Sequence, residues 1–269
     1  MNLRNIALIA LCVLTFVYTK AQVFENDDLS ITKIEKNVWV IETSDKTTMY
    51  LVEGKKKAML IDTGTECAQL DSIIKLITNK PLYVLLTHAH GDHAGNIKYF
   101  KEIYIHPADT VLLDKSYRGK VHFVKDNQVF DLGGRIMKIA TMPAHTPGSI
   151  VVLDETVSSC YSGDAFGSGQ VWLQLRPYAN MQAYINSCTK MESIKDKGIT
   201  KIYCGHYPYV KAAYDKSYIV AMRKLAEGLR DGTVPEGKAF DRKVSIGCDN
   251  PMIATDGTVS IVYDPEHVK

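Results

Sequence analysis

Short apolar runs separated by polar turns recur along this chain. In the first half they fall at residues 30–34, 38–41, 49–52, 58–61, 82–86 and 103–106, and each predicts a strand. Residues 69–77 break that rhythm. Leu70, Ile73, Ile74 and Ile77 lie on one helical face, so this segment predicts a helix. Residues 109–113 read as a further short helical stretch. In the second half, strands are expected around Phe130 and over residues 136–142, 150–153, 157–161 and 202–204. Residues 180–194 and 214–229 read as helices, and short strands near 243–246 and 259–263 close the chain. Two groups of strands with helices between them predict an α/β (α+β) domain in which two sheets pack together under helical cover.

Composition supports a single domain. The chain has 269 residues, 46% of them hydrophobic, enough for a sizeable core. The N-terminal segment has a different pattern. One Arg lies within the first five residues, an apolar run of about 13 follows, and Thr19-Lys20-Ala21 presents small residues where a signal peptidase reads. The run is shorter than the roughly 20 residues a membrane span needs. Residues 1–21 are therefore expected to be a cleaved signal peptide, and residues 22–269 the secreted, periplasmic domain, with no stable membrane span once the signal is removed. Cys12 suggests a lipoprotein, but Leu11 is the wrong size for that cleavage. Removing Arg4 and Lys20 takes Lys+Arg from 32 to 30, against 30 Asp+Glu. That balance argues against a nucleic-acid partner held by a broad basic surface. Five cysteines remain: Cys67, Cys160, Cys188, Cys204 and Cys248. None forms a C-x-x-C pair, so any disulfide pairing stays open. Cys204 is expected to be a small buried residue at a strand end.

The densest chemistry lies in Thr87-His88-Ala89-His90-Gly91-Asp92-His93. His88 and His90 are two apart and can share one side of an extended segment. Asp92 and His93 follow at the expected start of a helix and can face the same point from another direction. Imidazole nitrogen and carboxylate oxygen suit zinc or a similar divalent ion. His145, Asp164 and His206 each follow a strand-like run, where loops on a rigid sheet commonly hold functional groups. His106 and His122 read as structural or surface residues, and His267 as part of a loose tail.

The ordered set His88-x-His90-x-Asp92-His93, His145, Asp164 and His206 resembles the metallo-β-lactamase superfamily of hydrolases. Residues 60–64, Leu-Ile-Asp-Thr-Gly, resemble that family's first motif. The likeness runs from about residue 30 to residue 210. It implies a four-layer αββα sandwich with metals at one edge. It also implies a first-site set of His88, His90 and His145, and a second-site set of Asp92, His93 and His206. Asp164 is implied to bridge them, and Asp62 to orient a ligand from behind. The implied cofactors are two zinc ions per chain, with iron or manganese as other occupants of such a set. The implied reaction is attack by a metal-bridging hydroxide on an ester, thioester, lactone or β-lactam-type carbonyl of a small-molecule substrate, with Asp92 orienting the nucleophile or relaying a proton.

Two departures narrow the resemblance. Asp164 in the bridging position is similar to the glyoxalase II and lactonase branches, whereas the familiar β-lactamases carry Cys there or Ser a little later. The Gly-x-Gly-Arg-rich stretch of glyoxalase II is replaced by residues 165–173, Ala-Phe-Gly-Ser-Gly-Gln-Val-Trp-Leu. Trp172 is expected at the pocket mouth, and Tyr207, with Tyr209 behind it, as a substrate contact. Two alternatives stand beside the hydrolase. One is a mononuclear iron oxygenase of the persulfide dioxygenase type using His88, His145 and Asp164. The other is a non-catalytic metal-binding protein.

Overall fold

The computed structural model of the chain describes residues 21–143, 145–173, 180–241 and 247–268. Eight strands form the first sheet in chain order: β1 (Ala21–Glu25), β2 (Leu29–Glu35), β3 (Val38–Thr43), β4 (Thr48–Glu53), β5 (Ala58–Ile61), β6 (Leu82–Leu85), β7 (Glu102–Ile105) and β8 (Lys120–Phe123). β1 to β5 pair antiparallel, and β5 to β8 pair parallel. The connections explain the change. Short turns join the antiparallel strands, while α1 (Leu70–Ile77) and α2 (Gly91–Ala94) lie in the longer crossovers that parallel pairing requires.

The chain continues through β9 (Val129–Asp131), β10 (Ile136–Thr141), β11 (Ile150–Asp154), β12 (Ser159–Gly163), β13 (Gln170–Trp172), α3 (Met181–Lys195), β14 (Lys201–Cys204), α4 (Tyr207–Val210), α5 (Lys216–Asp231), β15 (Lys238–Ala239), β16 (Met252–Asp256) and β17 (Val259–Tyr263). The second sheet has the order β14-β12-β11-β10-β9, and a third has the order β13-β17-β16-β15.

Alternation of side chains along the strands divides the apolar residues among three cores. Val38, Val40, Tyr50, Val52, Met59 and Ile61 meet Phe130, Met137, Ile139, Val152, Tyr161 and Tyr203 between the two large sheets. The intervening Trp39, Ile41, Met49, Leu51, Ala58 and Leu60 face the other way, onto Leu70, Ile73 and Ile74 of α1. Ala140, Val151, Leu153, Cys160 and Ile202 line the outer face of the second sheet. They share a core with Tyr184, Cys188 and Met191 of α3, with Ile219, Met222 and Leu225 of α5, and with Val259 and Ile261 of the third sheet. The layers thus run helix, sheet, sheet, helix, the αββα sandwich.

Several element limits differ from expectation. The strand read at 157–161 is β12, two residues later. Ser158 takes a left-handed φ of 56° in the preceding turn, and a strand cannot start through it. The helix read at 214–229 begins at Lys216, because Asp215 caps it through Ser217 N and Tyr214 pairs with Ile202 instead. Residues 109–113 belong to a 3-10 turn, Pro107–Leu112, started by proline. His267 is not loose: it sits in the turn Pro265–His267 with Nδ1 2.8 Å from Asp264. The strand read at 243–246 and the signal segment 1–20 lie outside the described residues. All five cysteines from Cys67 onward are free thiols. Cys204 is buried at the end of β14, and burial pushes its thiol up to about 12.

Candidate metal centre

The parallel pairs of the two sheets bring the chemistry to one edge. Ile61 of β5 lies beside Leu85 of β6, so Asp62 and the Thr87-His88 segment leave the first sheet side by side. Gly163 of β12 lies beside Cys204 of β14, so Asp164 and His206 leave the second sheet together. His145 sits between β10 and β11. The sheets are tied at this end by Tyr50, whose hydroxyl donates to Cys204 O at 2.6 Å, and by Thr48 N, which donates to Gly205 O at 2.7 Å. Gly205 has to be glycine, since a Cβ there meets Asp164 Oδ1 at 2.3 Å and His93 Cε1 at 2.6 Å.

Hydrogen bonds behind the imidazoles fix which nitrogen faces inward. Asp62, at a left-handed φ of 64°, accepts from Thr87 N at 2.7 Å, Thr87 Oγ1 at 2.8 Å and His93 Nδ1 at 2.9 Å. His145 Nδ1 lies 2.7 Å from Trp172 O, and His206 Nδ1 lies 3.2 Å from Lys46 O. Carbonyls and carboxylates only accept, so these three rings carry their proton on Nδ1. Thr87 Oγ1 spends its proton on Asp62 and is left to accept from His88 Nδ1 at 3.2 Å. All four rings therefore turn Nε2 into the site.

Those atoms converge on one another, with His206 Nε2 3.2 Å from Asp164 Oδ2. Three sets each gather their ligand atoms within 4.8 Å: His88, His90 and His145; His88, His93 and Asp164; and Asp92, His93 and His206. His88 Nε2, His93 Nε2 and Asp164 Oδ1 are buried and make no hydrogen bond. His145 Nε2 and His90 Nδ1 are 2.7 Å apart, and two nitrogens so close need a proton or a cation between them. Buried polar atoms left unpaired are costly, and a metal ion satisfies such a donor set. The residues fit divalent metal.

The charge balance differs across the site. Burial and the neighbouring rings of His93, His90 and His145 hold His88 far below the ordinary histidine range. Burial and His145 push His90 down to about 3, and burial also lowers His145. Burial acts against a charge on His93 as well, but the carboxylates of Asp164, Asp62 and Asp92 outweigh it and raise the ring. His206 is raised in the same way, with Asp164 outweighing burial. Asp164 is buried, yet His206 and His93 hold its carboxyl far below the usual range.

The profile of the metallo-beta-lactamase superfamily matches residues 43–206. The chain belongs to this superfamily. An acyl-coenzyme A thioesterase MBLAC2 of Gallus gallus is 26% identical over 62% of this chain and 74% of its own length. A hydroxyacylglutathione hydrolase of Francisella philomiragia subsp. philomiragia is also 26% identical, over 62% of this chain and 66% of its own. A metallo-beta-lactamase from Pontibacter korlensis superposes with a TM-score of 0.60 at 20% identity, covering 74% of this chain and 99% of that one, a likeness of fold.

In this member of the superfamily a cleft of about 710 Å³ opens over His90, Asp92, His145, Asp164 and His206. Asp45, Thr47, Gly167, Ser168, Gln170, Trp172 and Tyr209 complete its wall. A hollow of similar size, about 690 Å³, lies beside Lys190 and Lys197, but no His or Cys lines it, so the chemistry favours the first. Trp172 stands at the cleft with its ring edge-on to Phe240, 5.5 Å away. Tyr207 does not. It is 4% exposed, packs among the tyrosines between the sheets, and donates to Lys211 O at 3.0 Å. Successive helical residues turn by about 100°, so the single turn α4 that buries Tyr207 presents Tyr209 outward, 58% exposed. Lys46 and Asp45 carry no ligand motif, and only the polar run 44–47 between two strands marked their turn in the sequence.

Proposed function

We propose that this protein is a two-metal hydrolase of acyl carbonyl substrates: an ester, thioester, lactone or β-lactam-type ring. The observation that carries the reading is the convergence of seven ligand residues into two half-sites with unpartnered buried donors. His88, His90 and His145 would hold one metal, and Asp92, His93 and His206 the other. Asp164 would be shared between them, since it converges with His88 in one set and lies against the other half, with Oδ2 3.2 Å from His206 Nε2. Nitrogen-rich sets with a few carboxylates suit zinc. Bound there, divalent ions supply Lewis acidity and ionise water near neutral pH.

The chain's own groups supply the rest. Asp92, 39% exposed at the cleft floor, holds or passes a proton between the site and solvent. Trp172, backed by Phe240, offers the cleft an apolar face that seats an acyl group and excludes water from it. No serine or cysteine nucleophile is required. Relatives named as thioesterase and hydrolase support acyl transfer to water. In the same reading, residues 1–21 direct export and residues 22–269 act outside the cytoplasm. The iron oxygenase reading requires His88, His145 and Asp164 as one set, whereas each convergent set found among the described residues includes a residue outside that triad.

Elemental analysis beside a hydrolysis panel tests the proposal. About two metal ions per chain with turnover of an ester, thioester or lactone is expected. One iron with oxygen consumption moves the assignment to the oxygenase. A fully metallated protein inert across esters, thioesters, lactones and β-lactams overturns hydrolysis.

A further inference from the structure

We infer that Asp109 is a positioning residue for the imidazole half of the metal centre, splinting the two loops that carry His88, His90 and His145. Asp109 lies in the 3-10 turn after β7 and is fully buried, yet no residue of its own turn accounts for its carboxylate. Its Oδ2 accepts from Ala89 N at 3.2 Å, and Ala89 is the residue between His88 and His90. The same oxygen accepts from Thr146 Oγ1 at 2.7 Å, and Thr146 follows His145. Its Oδ1 accepts from Gly148 N at 2.7 Å. One side chain thus takes three donors from two loops more than fifty residues apart in sequence.

The site is built around that carboxylate. A Cβ at Gly148 would stand 2.3 Å from Asp109 Oδ1, so glycine is needed for the approach. Thr146 gives its hydroxyl proton to Asp109, and Ser149 Oγ backs it at 2.9 Å while accepting from Thr146 N at 2.9 Å. The loops are tied once more, by Ile150 N donating to Thr87 O at 2.9 Å. That second tie keeps the loops together without Asp109, but it lies at Thr87 and Ile150 and does not reach the backbone at Ala89 or the Thr146 hydroxyl, which Asp109 holds. Outer partners of this kind tune metal affinity by about 10- to 100-fold.

Two kinds of variant separate positioning from folding. Asp109→Asn keeps the volume but offers one acceptor oxygen. Because Ala89 N and Gly148 N approach different carboxylate oxygens, either amide orientation sets an NH₂ group against a backbone N–H. Thr146→Val removes the hydroxyl donor at constant shape, and Thr146→Ser restores it. Metal-free proteins are first checked by far-ultraviolet circular dichroism, then titrated with Co²⁺ alone and followed by visible absorption. Expected is that one of two binding steps weakens about 10- to 100-fold in Asp109→Asn and Thr146→Val, with the spectrum of that step altered, while Thr146→Ser returns to the unsubstituted value. Equal weakening of both steps, unchanged affinity in both variants, or failure of Thr146→Ser to rescue overturns the splint. If the unsubstituted protein binds no Co²⁺, the metal centre itself falls and the splint with it. The test reads metal binding, so it is independent of which substrate is hydrolysed.

Discussion

The two halves of the centre are built from similar residues and behave differently. The half formed by His88, His90 and His145 contains imidazoles alone, and burial keeps all three rings neutral. In the half around His93 and His206, the carboxylates of Asp164 and Asp92, with Asp62 behind His93, outweigh burial and raise both rings. Protons are therefore held more tightly in the second half than in the first, and metal entry competes with them more there. The supports differ too. The neutral half hangs on Asp109 and the Trp172 carbonyl, and the acidic half on Asp62 and the Lys46 carbonyl. One fold edge thus presents two groups of candidate ligands with different charge balance.

The largest effect is expected where the halves share a residue. Asp164 converges with His88 and also lies against His206, so Asp164→Ala should abolish measurable turnover and lower the metal content of both positions. His206→Ala should differ: elemental analysis is expected to find about one ion retained, in the neutral half. Equal loss in both variants would mean that the halves are not separable. A smaller effect is expected behind the acidic half. Asp62→Asn keeps the left-handed backbone that asparagine tolerates but no longer serves three donors, and it should weaken one metal step about 10- to 100-fold in a chelator competition. If the tighter step weakens equally, Asp62 supports the whole edge and not one half.

The sequence displayed the ligands more clearly than the supports. Seven candidate ligand residues stood out because His and Asp clustered after apolar runs that end at one edge. The sandwich was legible for a related reason: Val38 to Ile41, Met49 to Val52 and Ala58 to Ile61 are apolar at every position because both faces of their sheet are covered. The supports were hidden because several are backbone carbonyls, which have no residue signature. Trp172 O reaches His145 across 27 residues, and Lys46 O reaches His206 across 160. Asp109 was a lone acid at the head of a short helical stretch until the fold carried it between two loops. Tyr207 and Tyr209 were equivalent as letters, and only the single turn of α4 decided which one faced the cleft.

The smallest prediction concerns the turn that holds His206. Lys46 offers its carbonyl from a left-handed φ of 71°, a conformation that needs support. Asp45 provides it, accepting from Thr43 Oγ1 at 2.5 Å, from Thr47 N at 3.3 Å and from Thr65 Oγ1. Burial alone raises the Asp45 carboxyl, but the hydrogen bonds from Thr43, Thr65 and Thr47 outweigh it and the carboxyl is lowered. A folded value below the unfolded one means that the charged form stabilises the fold. That contribution is fully present above the unfolded value near pH 4 and is lost as pH falls through the folded value. Asp45→Asn should therefore lower the melting temperature of the metal-free protein slightly at pH 7, and the gap to the unsubstituted protein should close in acid. A gap that persists unchanged at the acid end would assign the effect to shape and not to charge. Because this turn touches His206 alone among the ligands, the same variant should loosen only the acidic half, and a Co²⁺ titration with both steps moved would break the division between the two.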